Sequence, residues 1–166
     1  MRAPVPVLFV AAGCLAYLGA CRGYKPGTLA PESSGEVRTV GCLDVAVSPV
    51  RDAAAVGPVA GITFANRCDA AVRVDLAAIH AVGEYYAGER QPMALFDPNR
   101  EVGPGMLEAR AIAREVLEYQ LPSAPASLPA RLCLDLAGID PAAALDRPVI
   151  ACIDGGAVGP LAQVTR

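Results

Sequence analysis

Hydrophobic and polar positions alternate along much of the chain between residues 42 and 154. The clearest run is Ala70 to His80, where Val72, Val74, Leu76 and Ala78 alternate with Ala71, Arg73, Asp75 and Ala77. Successive side chains of a strand point to opposite faces, so a period of two predicts a strand with one face in a core. Leu43, Val45 and Val47 alternate in the same way with Asp44, Ala46 and Ser48, and Ile62 and Phe64 with Thr63 and Ala65 ahead of a turn at Asn66 to Asp69. Shorter apolar segments at Glu84 to Tyr86 and Met93 to Phe96 lead to a turn at Asp97-Pro98-Asn99. Leu132, Leu134 and Leu136 form one further stripe, and Val149, Ala151 and Ile153 another. Many short strands with turn signals between them predict an all-β sandwich.

The segment Met106 to Gln120 reads two ways. Its Ala, Leu, Glu and Arg content suits a helix with Met106, Ala109, Ala113, Val116 and Leu117 on one stripe. It also alternates through Leu107, Ala109, Ala111 and Ala113 and then Leu117, Tyr119 and Leu121, which predicts a strand with a bulge between the two halves. The strand is preferred because the sandwich otherwise lacks one here; one helix at 106–120 is the alternative.

The amino end has a different pattern. Met1 and Arg2 give a short positive start, followed by an uncharged, largely apolar stretch from Val5 to Tyr17 and the small residues Gly19 and Ala20 before Cys21. This is the layout of an export signal, and it is shorter than the roughly 20 residues a membrane-spanning helix needs. The tetrapeptide Leu18-Gly19-Ala20-Cys21 resembles the lipobox of bacterial lipoproteins. The resemblance implies cleavage after Ala20, a thioether-linked diacylglycerol on Cys21 and an amide-linked acyl chain such as palmitate, so that the protein is held on the membrane by its acyl chains. Arg22 stands where an Asp marks retention at the inner membrane in Gram-negative lipoproteins, so the same resemblance points to the cell outer membrane.

The Gly, Pro and Ser mixture from Arg22 to Glu36 lacks a hydrophobic period and predicts a flexible tether. The expected organisation is therefore a signal peptide at 1–20, a tether at 21–37, a β-sandwich at 38–154 and a tail at 155–166, with the longest internal loop at Leu121 to Ala130. Immunoglobulin-like and fibronectin-like domains share this architecture. The resemblance implies an immunoglobulin-like antiparallel β-sandwich of about seven to eight strands, although the chain has no Trp to form the usual buried core residue.

Four cysteines follow the export signal: Cys42, Cys68, Cys133 and Cys152. In an oxidising compartment an even count predicts two disulfides. Opposing Cys133 and Cys152 in an antiparallel hairpin places Leu132 against Ile153, Leu134 against Ala151 and Leu136 against Val149, with all six apolar side chains on one face and both sulfurs on the other. The same test on Cys42 and Cys68 fails, so those two must meet across a bulge or outside a regular ladder. A seven-strand layout favours 42 with 68 and 133 with 152; the nested pairing, 42 with 152 and 68 with 133, is the alternative.

Composition narrows the chemistry. Lys and Arg total 14 against 17 Asp and Glu, so no basic excess is present to hold a nucleic-acid backbone. The only His, His80, reads as a strand-end residue, and no nucleophile elbow, metalloprotease helix or phosphate loop occurs. No catalytic residue, metal ligand or cofactor is assigned; Asp135 and Asp140 are an acid pair without visible convergence. Cys42-Leu43-Asp44, Cys133-Leu134-Asp135 and Cys152-Ile153-Asp154 repeat one pattern, with each Asp expected on the solvent side as the polar partner in an alternating strand. Of Tyr85 and Tyr86, one is expected in the core and one at the surface. These features predict a lipid-anchored envelope protein that binds a protein partner as a structural or accessory module, with an envelope hydrolase or protease inhibitor as the alternative.

Overall fold

The computed structural model describes residues 23–32, 34–50, 55, 57–86, 88–99, 101–121 and 128–154. The export signal, Cys21, Arg22, most of the 121–130 loop and the tail lie outside the described residues. Within them the chain forms ten strands: β1 (Glu36–Val40), β2 (Leu43–Val50), β3 (Val59–Asn66), β4 (Val72–Asp75), β5 (His80–Glu84), β6 (Arg90–Leu95), β7 (Pro104–Leu107), β8 (Ile112–Gln120), β9 (Arg131–Asp135) and β10 (Ile150–Asp154). Eight of them make one antiparallel sheet in the order β1-β2-β3-β8-β6-β5-β9-β10, and β4 pairs with β7 separately. The sheet curls until β1 and β10 face each other, giving an all-β fold nearly closed as a barrel.

The hairpin β9–β10 has the register derived from its cysteines: Cys152 opposes Cys133, Ala151 opposes Leu134 and Ile153 opposes Leu132. Leu132, Leu134, Ala151 and Ile153 enter the core with Leu43, Val45 and Val47 of β2 and Ala60, Ile62 and Phe64 of β3. Each large aliphatic side chain so buried contributes roughly 1.5–3 kcal/mol. In the β2–β3 ladder Val45 opposes Phe64 and Leu43 opposes Asn66, so Cys42 and Cys68 lie just past the last pair and bond outside the ladder.

Four expectations are corrected. The run from Ala70 to His80 is not one strand: a 3-10 turn at Leu76–Ala78, capped by the Asp75 side chain on the Ala77 N–H, separates β4 from β5. Segment 106–120 forms the expected strand in its second half and no helix, but a turn stands where the bulge was expected. β7 ends at Leu107, a turn follows, and β8 runs against β3 in unbroken register from Ile112. The turn places Arg110 at φ +60, a left-handed conformation uncommon outside Gly. It is held by the Asn66 amide, which donates to the carbonyls of Leu107 and Glu108, and by the Arg110–Asp69 ion pair.

Strand β1 was not anticipated, because Glu36, Arg38 and Thr39 interrupt the apolar pattern. It is an edge strand, and its polar side chains complete the barrel: Arg38 Nε donates to the Ile150 carbonyl and the Cys152 N–H donates to Glu36 Oε2. Finally, the segment expected as a free tether is docked from Tyr24 onward. It crosses the outer face of β2 as a strap, so Asp44, Ala46 and Ser48 are buried although they point away from the core.

Candidate functional site

Two features of the domain are built for more than core packing: the clasp that holds the strap, and a groove where the barrel wall opens. The clasp centres on Asp44, which is 3% exposed. Its Oδ2 accepts from the Tyr24 hydroxyl at 2.6 Å and from the Gly27 N–H at 3.0 Å, while Oδ1 accepts from Thr39 Oγ1 at 2.7 Å. Arg67 Nε lies 3.7 Å from Oδ1. Burial alone would raise the pKa of this carboxyl, but the hydrogen bonds from Tyr24, Gly27 and Thr39 and the Arg67 charge outweigh it and hold it below the ordinary carboxylate range. Burial and the bond to Asp44 push the Tyr24 hydroxyl above its usual value. Farther along the strap, the Glu32 N–H donates to Ser48 Oγ and the Glu32 carboxylate pairs with Arg114. Gly35 passes so close to the Val47 carbonyl that a Cβ would collide with it.

The groove arises because β6 and β8 pair only at Ala94–Gln120 and Leu95–Tyr119. Below that junction β8 diverges, and the β4–β7 pair lies opposite it. The half-open groove between them has a volume of about 220 Å³ and is lined by Phe64, Val74, Leu76, Leu107 and Ala113, with Glu115 at its mouth. Among the described residues no strand pairs with Ile112 to Leu117 on this side, so the edge of β8 is open there.

The remaining sequence-marked residues are placed as follows. Cys42 bonds to Cys68 and Cys133 to Cys152, which excludes the nested pairing. His80 is exposed at the start of β5, in register opposite Asp135. Asp135 and Asp140 do not converge. Asp135 Oδ1 accepts from the N–H groups of Ala137 and Val149, and Asp140 from those of Ala142 and Cys42, so each carboxylate staples a turn. Of the three Cys-aliphatic-Asp repeats, only Asp154 faces solvent as expected; Asp135 is half-buried and Asp44 is enclosed by the strap. Among the described residues no three potential metal-binding side chains come together. Tyr85 is half-buried, and Tyr86 projects 96% exposed from the β5–β6 hairpin tip.

Sequence reasoning missed Tyr24 and the groove. An aromatic residue inside a Gly- and Pro-rich stretch was the available signal for the first. The groove left none, because it depends on where two ladders part. Comparison with family models, curated proteins and solved structures found no match to this chain.

Proposed function

We propose that this protein is a lipid-anchored module of the bacterial cell envelope that binds a protein partner through the groove beside β8. The observation that carries the binding role is the open edge of β8 next to an apolar groove. A partner segment in extended conformation can add its backbone to that edge and place alternate side chains among Phe64, Val74 and Leu107. A groove of this size and lining suits one or two apolar side chains better than a substrate requiring several converging charges.

The envelope location is supported by the two disulfides, which persist in oxidising compartments, and by the lipobox-like Leu18-Gly19-Ala20-Cys21. The outer membrane is the proposed destination, from Arg22 after Cys21. The immunoglobulin-like reading is supported by strand order. β1-β2-β3-β8 and β6-β5-β9-β10 are each a continuous antiparallel run of four strands, the second built from the β5–β6 and β9–β10 hairpins side by side. The two four-stranded halves share only two ladder pairs, at β6–β8, and meet on the other side through the side chains of Glu36 and Arg38 rather than a ladder, which supports reading them as two facing sheets.

Two measurements test the proposal. The mature protein should show an acylated Cys21 by mass spectrometry, and Cys21→Ser should leave the membrane fraction. A photoreactive side chain at Glu115 in native membranes should give one discrete cross-linked partner. The band should vanish in Gly105→Arg, a substitution that meets open space and obstructs the groove. No band, or one unaffected by Gly105→Arg, would overturn the groove as the binding site.

A further inference from the structure

We infer that the strap fixes the orientation of the domain on the membrane, with the pole formed by Tyr24, the Cys42–Cys68 disulfide and the 108–111 turn facing the lipid and the Tyr86 hairpin facing away. The inference rests on the proposed acylation of Cys21 and adds to it an interaction surface whose partner is a lipid bilayer.

The argument begins with chain length. Only Arg22 and Gly23 separate Cys21 from Tyr24, so at full extension the acylated residue lies about 10 Å from the Tyr24 Cα. A free coil over the expected tether would allow on the order of 20 Å and any orientation. Tyr24 does not belong to such a coil. It is 7% exposed, its hydroxyl is bound to Asp44, and its N–H donates to the Arg110 carbonyl at 2.6 Å. The point at which the domain is held is therefore a buried position on its wall, immediately behind the acyl chains.

Strand register identifies the pole to which that point belongs. Tyr24 touches Arg110, and the Asn66 amide joins the same turn to the end of β3, which pairs with Leu43 beside Val40. All these positions share one end of the barrel. The other end follows from the seam, where Glu36 meets Cys152 and Arg38 meets Ile150, so β10 runs away from that pole toward Asp154. Asp154 opposes Arg131, and Arg131 opposes Glu84 at the base of the Tyr85–Glu89 hairpin tip. The eight residues of β2 set the separation of the poles at roughly 26 Å, several times what Arg22 and Gly23 could compensate.

The membrane-side surface suits the headgroup boundary. Ile112 is 55% exposed next to the turn, and Lys25 is exposed beside Tyr24. Arg67 and Arg110 are paired there with Asp44 and Asp69, so the acyl chains and the clasp, rather than these two charges, set the orientation.

The chain contains no Trp, so a single introduced Trp reports its own surroundings. The test uses full-length acylated protein in phosphatidylcholine vesicles carrying brominated acyl chains, with Glu108→Trp and Tyr86→Trp as separate reporters at exposed positions. Glu108→Trp should lose most of its emission to the brominated lipid, whereas Tyr86→Trp should lose none. A Gly/Ser insertion of about 12 residues between Arg22 and Gly23, which adds on the order of 20 Å, should restore the Glu108→Trp emission. Equal quenching of both reporters, or quenching that survives the insertion, would overturn the inference. Protection of Glu108→Trp from an aqueous quencher without lipid quenching would assign the pole to a second copy of the chain and overturn it too. An unacylated Cys21 in the same sample would overturn the anchor itself, a failure read by mass and separate from the optical result.

Discussion

Asn66 shows how one buried polar side chain can organise several segments. It is fully buried, its Nδ2 donates to the carbonyls of Ala70, Leu107 and Glu108, and its Oδ1 accepts from the Cys68 N–H. Removing the amide strands those groups in the interior, where an unmet buried partner costs about 1–3 kcal/mol. Asn66→Ala is therefore expected to lower stability by about 3 kcal/mol in urea titration, with little change in the slope of the transition. Tyr119 presents the opposite case. It is almost wholly buried, and its hydroxyl has no hydrogen-bond partner among the described residues. Burial accordingly drives its pKa far above the ordinary value. Because the hydroxyl is desolvated without compensation, Tyr119→Phe should leave the unfolding midpoint unchanged or raise it by up to about 1 kcal/mol of stability.

At the scale of elements, the strap is held by groups that titrate at both extremes of pH. The Asp44 carboxyl has a folded pKa below its unfolded value, so its contribution is complete above the unfolded value near 4 and is lost as pH falls through the folded value. Tyr24 has a raised folded pKa, so its contribution is complete below about pH 10 and is lost as pH rises through the higher folded value. Hydrogen exchange at the Gly27 and Glu32 amides should consequently accelerate, relative to core amides, below about pH 4 and again above about pH 10. Uniform protection across that range would contradict the clasp. The seam between β1 and β10 makes a second prediction. Glu36 and Arg38 occupy backbone groups that would otherwise template another strand. The double change Glu36→Ala with Arg38→Ala should leave the monomer folded but promote self-association, measurable by light scattering as a concentration-dependent rise in mass.

For the whole molecule, the two disulfides tie the curled sheet at separate places, one at the β1–β2 turn and one across β9–β10. Their sequence separations of 26 and 19 residues imply about 3 kcal/mol each from restricting the unfolded chain. Replacing either pair by alanines should lower the melting temperature, and replacing both should cost approximately the sum, since the pairs share no partner. Much of this architecture is written locally. Alternation gave β2, β3 and the β9–β10 hairpin, and a period-two register gave the Cys133–Cys152 pair with its facing residues. Those features need only the pleat of a strand and the reach of a disulfide. Alternation could not reveal that Asp44 is buried, because the side chains enclosing it come from residue 24 and residue 39 and meet only after folding. It likewise joined β4 to β5 through Leu76, where the 3-10 turn keeps the same apolar residues on the core side. The amino-acid order by itself determined which apolar stripes face the core and the register in which Cys133 can oppose Cys152. Tertiary structure alone decided that the strap lies down and that β8 parts from β6 to open a groove. Both depend on contacts between residues far apart in the chain, for which no neighbour-to-neighbour periodicity exists.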